Sequence, residues 1–286
     1  PMKSGFVVLA GRSNVGKSSL MNSIIGSKVA IVTPKPQTTR RPVRGILHDA
    51  RGQIVFVDTP GIFLGKKDAL SQKLNALVRE QLEGIDLVVY VMDPTRHVGE
   101  EEESIQKLLR KLAVPIIAVI NKSDLSNEEK PALEDMRAAD VGQRLTLELS
   151  ALNRKDLNRL VDAMFTLLPE GDQYYPDKQL TDVSHREWLG EIIREKCFLR
   201  LEKELPYSVM VEVTNVETED NRRRVEAVVW TTDDRYKKMI IGAKAAMIKQ
   251  IGMDARKEIE AATGNKIYLA LEVKTDPKWP QRFSTL

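Results

Sequence analysis

The sequence predicts two domains: an α/β domain on a mostly parallel six-stranded sheet with helices on both faces, and then a smaller α+β domain. Apolar runs rich in valine and isoleucine, such as 86–92 and 114–120, have the character of central parallel strands covered on both faces. Segments with helical spacing of apolar residues separate these runs. After residue 183 the order helix, strand, strand, helix, helix, strand predicts the second domain.

The composition is that of a globular protein with enough chain for two hydrophobic cores. Its 286 residues are 42% hydrophobic and 30% charged, and 44 basic against 41 acidic residues give a net charge of +3. This balance does not indicate nucleic acid, so a basic site must come from local clustering. The single cysteine, Cys197, excludes an internal disulfide framework, and no apolar run approaches the roughly 18 residues of a membrane span. A cytoplasmic location is therefore expected.

The stretch Gly11–Ser18 has the spacing of the phosphate-binding P-loop, Gly-x-x-x-x-Gly-Lys-Ser/Thr, between a predicted strand and a predicted helix. Its backbone N–H groups would point at phosphates, while Lys17 adds a charge and Ser18 a hydroxyl for Mg²⁺. The alternative is a glycine-rich turn with a chance Lys-Ser pair. The predicted phosphate-binding residues are Gly11, Arg12, Ser13, Asn14, Val15, Gly16, Lys17, Ser18 and Ser19.

Two further segments are predicted to reach the terminal phosphate. Residues 26–42 form a polar loop with prolines, in which Thr38 and Thr39 could fold over that phosphate, and Thr39 is favoured to complete the Mg²⁺ shell. Asp58 ends a strand-like run and is predicted to hold Mg²⁺ through water, while the Gly61 N–H would sense the γ-phosphate. The alternatives are a solvated loop with incidental threonines and a plain Asp-Pro-Gly turn.

The run 114–120 ends in Asn121-Lys122-Ser123-Asp124, at a strand end where open α/β sheets bind ligands. A carboxylate at Asp124 could accept hydrogen bonds from the ring N–H and exocyclic amine of guanine, whereas adenine has no matching donor pair. A helix entry of the Asx type is the alternative. The backbone after the last predicted strand could contact the base carbonyl. The predicted guanine-binding residues are Asn121, Lys122, Asp124, Ser150, Ala151 and Leu152.

These motifs, in this order and spacing, resemble those of translation-factor-type small GTPases over residues 4–168. The stretch Pro36-Gln37-Thr38-Thr39-Arg40, with the second domain, narrows the resemblance to the Era family of bacterial ribosome-assembly GTPases. The resemblance implies binding of GTP and GDP, and hydrolysis of GTP with Mg²⁺.

Two positions bear on the rate of hydrolysis. Ile62 stands where Ras-like proteins carry the glutamine that orients the attacking water, so slow intrinsic hydrolysis is expected. Asn14 matches an asparagine that helps to bind K⁺ in related GTPases and is a candidate K⁺ ligand. A role in shaping the loop is the alternative for Asn14.

The predicted domains are residues 1–168 and 183–286, with 169–182 as an interdomain linker. Ser184 and Glu187 predict a capping box that opens a helix reaching Leu205. Two helices broken at Gly242 follow the two strands, and residues 276–286 are expected to be a short tail that is either truncated or flexible. This element order is that of the prokaryotic, type II, KH domain.

A KH domain carries a Gly-x-x-Gly loop that clamps about four nucleotides of single-stranded RNA. Here Ala245 replaces the second glycine, which would either crowd the RNA backbone or be tolerated in a right-handed turn. Residues 184–286 hold 19 Lys/Arg against 17 Asp/Glu, so solvated charged faces are the alternative to an RNA site. The predicted RNA-binding residues are Ile241, Gly242, Ala243, Lys244, Ala245, Lys249, Arg222, Arg223 and Arg224.

The resemblance implies that the ligand is the 3′ end of small-subunit ribosomal RNA and that the partner is the small ribosomal subunit. A monomer is expected, without DNA binding and with at most peripheral association with the inner face of the cell membrane. In the leading hypothesis GTP orders the Thr39 loop and permits RNA binding, and hydrolysis reverses both. The alternatives are a GTP-regulated protein-interaction module without RNA binding, and an ATP-using kinase, which Asn121 and Asp124 disfavour.

Overall fold

The computed structural model describes residues 2–36, 38–60, 84–219 and 222–282. The chain divides into two compact units, Pro1–Asp182 and Val183–Leu286. Within the described ranges, no helix is long and apolar enough to cross a membrane. In the segment 70–85 the apolar residues have helical spacing and predict a helix, and most of this segment lies outside the described ranges. Gly61 and Ile62 also lie outside them.

The first unit combines strands and helices, as predicted. The strands are β1 (Lys3–Ala10), β2 (Val43–Asp49), β3 (Gly52–Asp58), β4 (Leu87–Met92), β5 (Ile116–Ile120) and β6 (Leu145–Glu148). The helices described are α1 (Lys17–Ile25), α2 (Glu100–Leu109), α3 (Leu133–Arg137) and α4 (Leu157–Leu167). The sheet order is β2-β3-β1-β4-β5-β6, with only the β2–β3 pair antiparallel. The predicted fold class is therefore confirmed.

Both faces of this sheet are buried around β4 and β5, which are apolar at every position. Successive side chains of β4 alternate between two core clusters. Val89 packs in the cluster that contains residues of α1 and α4, and Val88 packs in the cluster with residues of α2 and α3. The parallel strands end at one edge of the sheet, so the loops that follow them are collected there.

Helix α3 is absent from the sequence prediction. Its five residues are too few to show a helical period. Leu133 and Met136 are nevertheless buried in the cluster that contains Ile116 and Ile120 of β5. Tertiary packing, rather than local periodicity, accounts for this helix.

The segment 169–182, predicted as a linker, lies against the first unit. The backbone N–H of Ile46 in β2 donates to Leu180 O at 2.8 Å, and Thr181 Oγ1 donates to Arg44 O at 2.7 Å. Gln53 Nε2 donates to Tyr175 O at 2.9 Å. Because β2 is an edge strand, the segment covers backbone groups that would otherwise face water.

The second unit is the small α+β fold predicted for a KH domain. Its elements are α5 (His185–Arg200), β7 (Met210–Glu219), β8 (Arg222–Thr231), α6 (Asp234–Ile241), α7 (Ala246–Thr263), β9 (Lys266–Thr275) and α8 (Trp279–Arg282). Strand β8 pairs antiparallel with β7 and parallel with β9. Helix α5 packs against α7 and β7.

The predicted capping box of α5 is confirmed, but the predicted end of the helix is wrong. Ser184 Oγ accepts from the Glu187 backbone N–H at 3.2 Å, and the Glu187 carboxylate accepts from the Ser184 N–H at 3.1 Å. The helix ends at Arg200, and Leu205 belongs to a separate 3₁₀ turn, Leu205–Ser208, with a proline near its start. A buried Leu205 continued the apolar pattern without continuing the helix.

The expectation of a flexible tail after residue 276 is also wrong as far as residue 282. Trp279 is 1% exposed, and its indole Nε1 donates to Ser208 O at 2.8 Å. Asp276 N donates to Thr231 O at 2.8 Å. A single buried tryptophan thus anchors a segment that has no periodicity of its own.

Candidate nucleotide and RNA sites

A cavity of about 400 Å³ lies at the carboxyl edge of the first unit's sheet, within the usual size range of ligand pockets. Predicted site residues that line it are Ser13, Asn14, Gly16, Lys17, Ser18, Ser19, Thr38, Thr39, Asn121, Lys122, Asp124, Ser150, Ala151 and Leu152. Gly11, Arg12, Val15 and Asp58 do not line it. Segments far apart in the chain therefore meet at one place.

The P-loop wraps around the ammonium group of Lys17. Lys17 Nζ donates to Gly11 O at 3.0 Å and to Arg12 O at 2.7 Å. Gly16 has φ of 102°, and a Cβ there would lie 2.2 Å from Asn121 Nδ2. Glycine is therefore required at this position both by the backbone conformation and by the contact with Asn121.

The Arg12 side chain lies outside the cavity. Its Nε lies 2.6 Å from Glu102 Oε2 in a buried ion pair that is poorly aligned for a hydrogen bond. Arg12 Nη1 donates to His97 O at 3.1 Å, and the Tyr90 hydroxyl donates to Glu102. Because the Arg12 guanidinium is paired with Glu102 of α2, Arg12 could contact a phosphate only through its backbone. The ion pair also connects the P-loop to α2.

The three predicted Mg²⁺ ligands come together. Ser18 Oγ lies 3.2 Å from Thr39 Oγ1 and donates to Asp58 Oδ2. Asp58 Oδ1 is buried and has no hydrogen-bond partner among the described residues. Two hydroxyls and a carboxylate with an unused oxygen form the kind of donor set that Mg²⁺ prefers.

Burial changes the pKa values of the two charged groups at this end of the cavity. It raises the pKa of Asp58 to about 6, against the opposing charge of Lys17 and the hydrogen bonds from Ser18 and Thr39. It lowers the pKa of Lys17 to about 8, although Asp58 and Glu102 favour the ammonium form. At neutral pH both groups remain mostly charged, as phosphate and metal binding require.

The neighbouring threonines are used differently. The Thr38 hydroxyl bonds within its own loop, to Thr33 Oγ1 at 2.6 Å and to Lys35 O at 2.7 Å. The Thr39 hydroxyl faces Ser18. Asn14 Nδ2 donates to Pro34 O at 2.7 Å, so the P-loop and the 26–42 loop are in contact.

On the base side, Asn121 connects two loops. Its Nδ2 donates to Val15 O at 2.9 Å, and its Oδ1 accepts from Ala151 N at 3.0 Å. Asp124 Oδ1 accepts from Ser150 Oγ at 2.5 Å, and Asp124 remains exposed at the cavity. Leu152 is 82% exposed at the rim.

Several lining residues are absent from the sequence prediction. They are Ile31, Val32, Thr33, Pro34, Thr59 and Leu125. The first four belong to the loop 26–42, whose only apolar signal is the short run 29–32. A run of four apolar residues is too short to be distinguished from a chance grouping, so the sequence could not predict that it lies at the cavity.

In the second unit, three of the four residues 242–245, in the loop between α6 and α7, have positive φ. Gly242 has φ of 72°, Lys244 φ of 50° and Ala245 φ of 59°. Ala245 is therefore in the left-handed region, and the alternative of a right-handed turn is wrong. Left-handed backbone costs a residue with a Cβ roughly 1–2 kcal/mol.

A groove of about 320 Å³ lies between α7 and β9, beside this loop. Lys249, a predicted RNA-binding residue, lines it. The other lining residues, which the sequence prediction missed, are Ile248, Gly252, Met253, Arg256, Tyr268, Leu269 and Leu271. Met253 and Tyr268 are more than half exposed, which gives the groove apolar and aromatic surface next to two cations.

The predicted arginine cluster at the start of β8 is partly paired. Arg224 Nε donates to Glu226 Oε1 at 2.8 Å, and its guanidinium lies 5.4 Å from the centre of the Tyr268 ring. Arg223 Nη1 lies 3.1 Å from His185 Nε2. The side chain of Arg222 lies outside the described residues. Of the two arginine side chains of this cluster that the structure describes, Arg224 lies over a residue of the groove, Tyr268.

Comparison with known proteins identifies two family models. One, described as a 50S ribosome-binding GTPase, matches residues 6–122. The other, described as a KH domain, matches residues 204–279. The two matches fall in the two structural units.

Two solved structures are similar over nearly the whole chain, each with a TM-score of 0.91 and 34% identity. One is an Era variant from Aquifex aeolicus bound to GDP·AlF₄⁻. The match covers 98% of this chain and 96% of the Aquifex chain. The other is Era in complex with MgGDPNP and nucleotides 1506–1542 of 16S ribosomal RNA, covering 99% of this chain and 96% of that one.

Curated relatives match over a similar length. GTPase Era of Halothermothrix orenii is 40% identical over 281 residues, which are 98% of this chain and 95% of the relative. GTPase Era of Heliobacterium modesticaldum is 39% identical over 283 residues, 98% of this chain and 94% of the relative. With both units matched in one continuous alignment, the chain belongs to the Era family of GTPases.

Proposed function

We propose that this chain is a GTP-hydrolysing switch that binds single-stranded RNA at the 3′ end of small-subunit ribosomal RNA and assists assembly of the small ribosomal subunit. The convergence of Ser18, Thr39 and Asp58 carries the nucleotide-switch part of this proposal. Thr39 comes from the loop 26–42, so a metal and terminal phosphate bound there would order that loop. Loss of the phosphate would release it.

The residue roles follow from position. The backbone of the P-loop and the Lys17 ammonium would bind the phosphates, while Ser18, Thr39 and Asp58 would hold Mg²⁺, Asp58 through water. Bound Mg²⁺ would neutralise charge that develops on the phosphates. A relative with 34% identity contains MgGDPNP, which supports this assignment.

Guanine recognition is assigned to Asp124 and to the loop 150–152. Asp124 lies at the cavity with its Oδ1 bonded to Ser150, which fixes the direction of the carboxylate. A fixed acceptor pair would favour guanine, and an analogue without the matching donors would leave the carboxylate unpaired. Asn121 acts here by holding the loops together.

Hydrolysis is proposed to be slow without an activator, because Ile62 cannot orient a water molecule. We assign K⁺ binding to Asn14, whose side chain lies beside the 26–42 loop. GTP turnover should then be faster in KCl than in NaCl, and Asn14→Ala should remove that difference. Equal turnover in the two salts would contradict the K⁺ assignment.

RNA binding is assigned to the loop 241–245 and the groove beside it. The exposed Lys244 and Lys249 would contact phosphates, and the Met253 and Tyr268 surface would contact bases. An Era relative in complex with 16S ribosomal RNA nucleotides supports this assignment. The alternative, a GTP-regulated protein-interaction module, predicts no RNA affinity in either nucleotide state.

The deciding experiment measures RNA binding and GTP hydrolysis with an oligonucleotide from the 3′ end of small-subunit ribosomal RNA. We expect binding to weaken steeply with salt and hydrolysis to respond to the oligonucleotide. Lys244→Glu should abolish binding. Lys257→Glu makes the same charge change on α7 outside the groove and serves as the matched control. Absence of binding with both GDP and a GTP analogue would favour the protein-interaction module.

A further inference from the structure

The turn that follows β4 has no role in the sequence prediction, yet it is tightly built. Asp93 is 1% exposed, and its Oδ1 accepts from Thr95 N at 3.0 Å and from Thr95 Oγ1 at 2.7 Å. Arg96 N donates to Asp93 O at 3.3 Å and closes the turn. A buried carboxylate held in this way is costly unless a cation pairs with it.

The cation is Lys122, from the base side of the nucleotide cavity. Lys122 Nζ lies 2.6 Å from Asp93 Oδ2. Lys122 lines the cavity and has φ of 61°, an uncommon backbone conformation for lysine. The ion pair therefore holds the lysine side chain along the cavity wall, rather than leaving a long chain free to move.

The same turn also contacts the phosphate side. Arg96 Nη1 donates to Ser13 O at 2.6 Å. From the P-loop in return, Arg12 Nη1 donates to His97 O at 3.1 Å. The turn 93–97 is thus bonded to the wall of the base subsite through Asp93 and to the P-loop through Arg96 and His97.

We propose that the turn 93–97 sets the spacing between the base and phosphate subsites, with Asp93 and Arg96 as positioning residues for the guanine nucleotide. Asp93 acts through Lys122, and Arg96 acts through Ser13. The proposal rests on the assignment of this cavity to guanine nucleotides. It extends that assignment to a segment that does not line the cavity.

The expected effect is on affinity rather than on the chemical step. Asp93→Asn keeps the side-chain shape but removes the charge that holds Lys122. Loss of a charge-assisted contact should raise the Kd for GDP and for a GTP analogue by the same factor, about tenfold. The kcat at saturating GTP should stay within about twofold, because the Asp93–Lys122 ion pair should favour binding of the ground state and of the transition state equally.

A double-variant cycle tests the route through Lys122. If Asp93 acts by holding Lys122, then Asp93→Asn in a Lys122→Met background should weaken GDP binding no further than Lys122→Met alone. Asp162→Asn is the matched control: it breaks an exposed pair with Arg51, whose Nη1 lies 2.7 Å from Asp162 Oδ1. It should leave the Kd for GDP unchanged.

The outcomes are separable. If the wild-type chain does not bind GDP, the proposed function fails. If it binds GDP and Asp93→Asn binds as tightly, or if the two variants weaken binding additively, the positioning role is overturned. Should Asp93→Asn not fold, Arg96→Met tests the other arm of the same turn. An unchanged Kd for GDP in that variant would also overturn the proposal.

Discussion

Asn121 Nδ2 donates to Val15 O at 2.9 Å, across 106 positions of the chain. The other end of the same amide accepts from Ala151 N at 3.0 Å. One buried side chain thereby joins the P-loop, the loop after β5 and the loop after β6. Residues of all three loops line the cavity that is assigned to the nucleotide.

The first prediction separates Asn121 from Asp124. Asn121→Ala should lower the free energy of unfolding of the nucleotide-free protein by about 1–3 kcal/mol, because two backbone groups lose their partner. Asp124→Ala removes an exposed carboxylate and should instead reduce the preference for GDP over ADP. Thermal unfolding without nucleotide and competition binding measure the two effects. Equal losses of stability in both variants would contradict this separation.

The second prediction concerns Gly16. Gly16→Ala should abolish tight GDP binding, because the new methyl group would lie 2.2 Å from Asn121 Nδ2 and the backbone has φ of 102°. Gly142→Ala is the matched control, since Gly142 has φ of 77° but no atom within 4 Å of the new methyl group. It should cost about 1–2 kcal/mol of stability and leave GDP binding intact. Calorimetric titration with GDP checks both variants, and tight binding by Gly16→Ala would refute the prediction.

The third prediction concerns the loop of the second unit. Ala245 has φ of 59°, so Ala245→Gly relieves left-handed strain. The net gain should be about 0.5–1 kcal/mol, because glycine also adds entropy to the unfolded chain. Ala246→Gly, at φ of −65°, should have the opposite sign and cost up to about 1 kcal/mol. Urea unfolding compares the two, and the same sign for both would show that backbone strain at Ala245 is not the cause.

The fourth prediction concerns the thiol of Cys197. Burial raises its pKa to about 12, whereas an unfolded thiol has a pKa of about 8.5. The thiol's contribution to stability is therefore fully present below about pH 8.5 and is lost as the pH rises towards 12.

At pH 8 the native chain should not react with a disulfide reagent such as DTNB, and it should react after denaturation. Leu199→Cys introduces a second thiol on the same helix at a residue that is 48% exposed, and this thiol should react in the native state. Labelling of native wild-type protein at a comparable rate would show that Cys197 is accessible.

The nucleotide motifs could be located from the sequence because each is a short continuous string whose chemistry depends on its own residues. The P-loop needs glycine at set intervals, and strands β4 and β5 are apolar at every position. Hydrophobic pattern and local backbone chemistry depend on residues that are neighbours in sequence. Both can therefore be predicted without knowledge of the tertiary structure.

Other features were accessible only from the folded chain. The partners of Asn121, the pairing of Arg12 with Glu102 and the bond between Asp93 and Lys122 join loops that lie apart in sequence. No local sequence pattern indicates these pairs, because the two partners of each pair are brought close only by the tertiary fold. For the same reason, the sequence does not indicate that Trp279 is buried with its indole N–H bonded to Ser208 O. Residue type thus establishes which chemistry the chain can perform, and long-range packing establishes which side chains hold that chemistry in place.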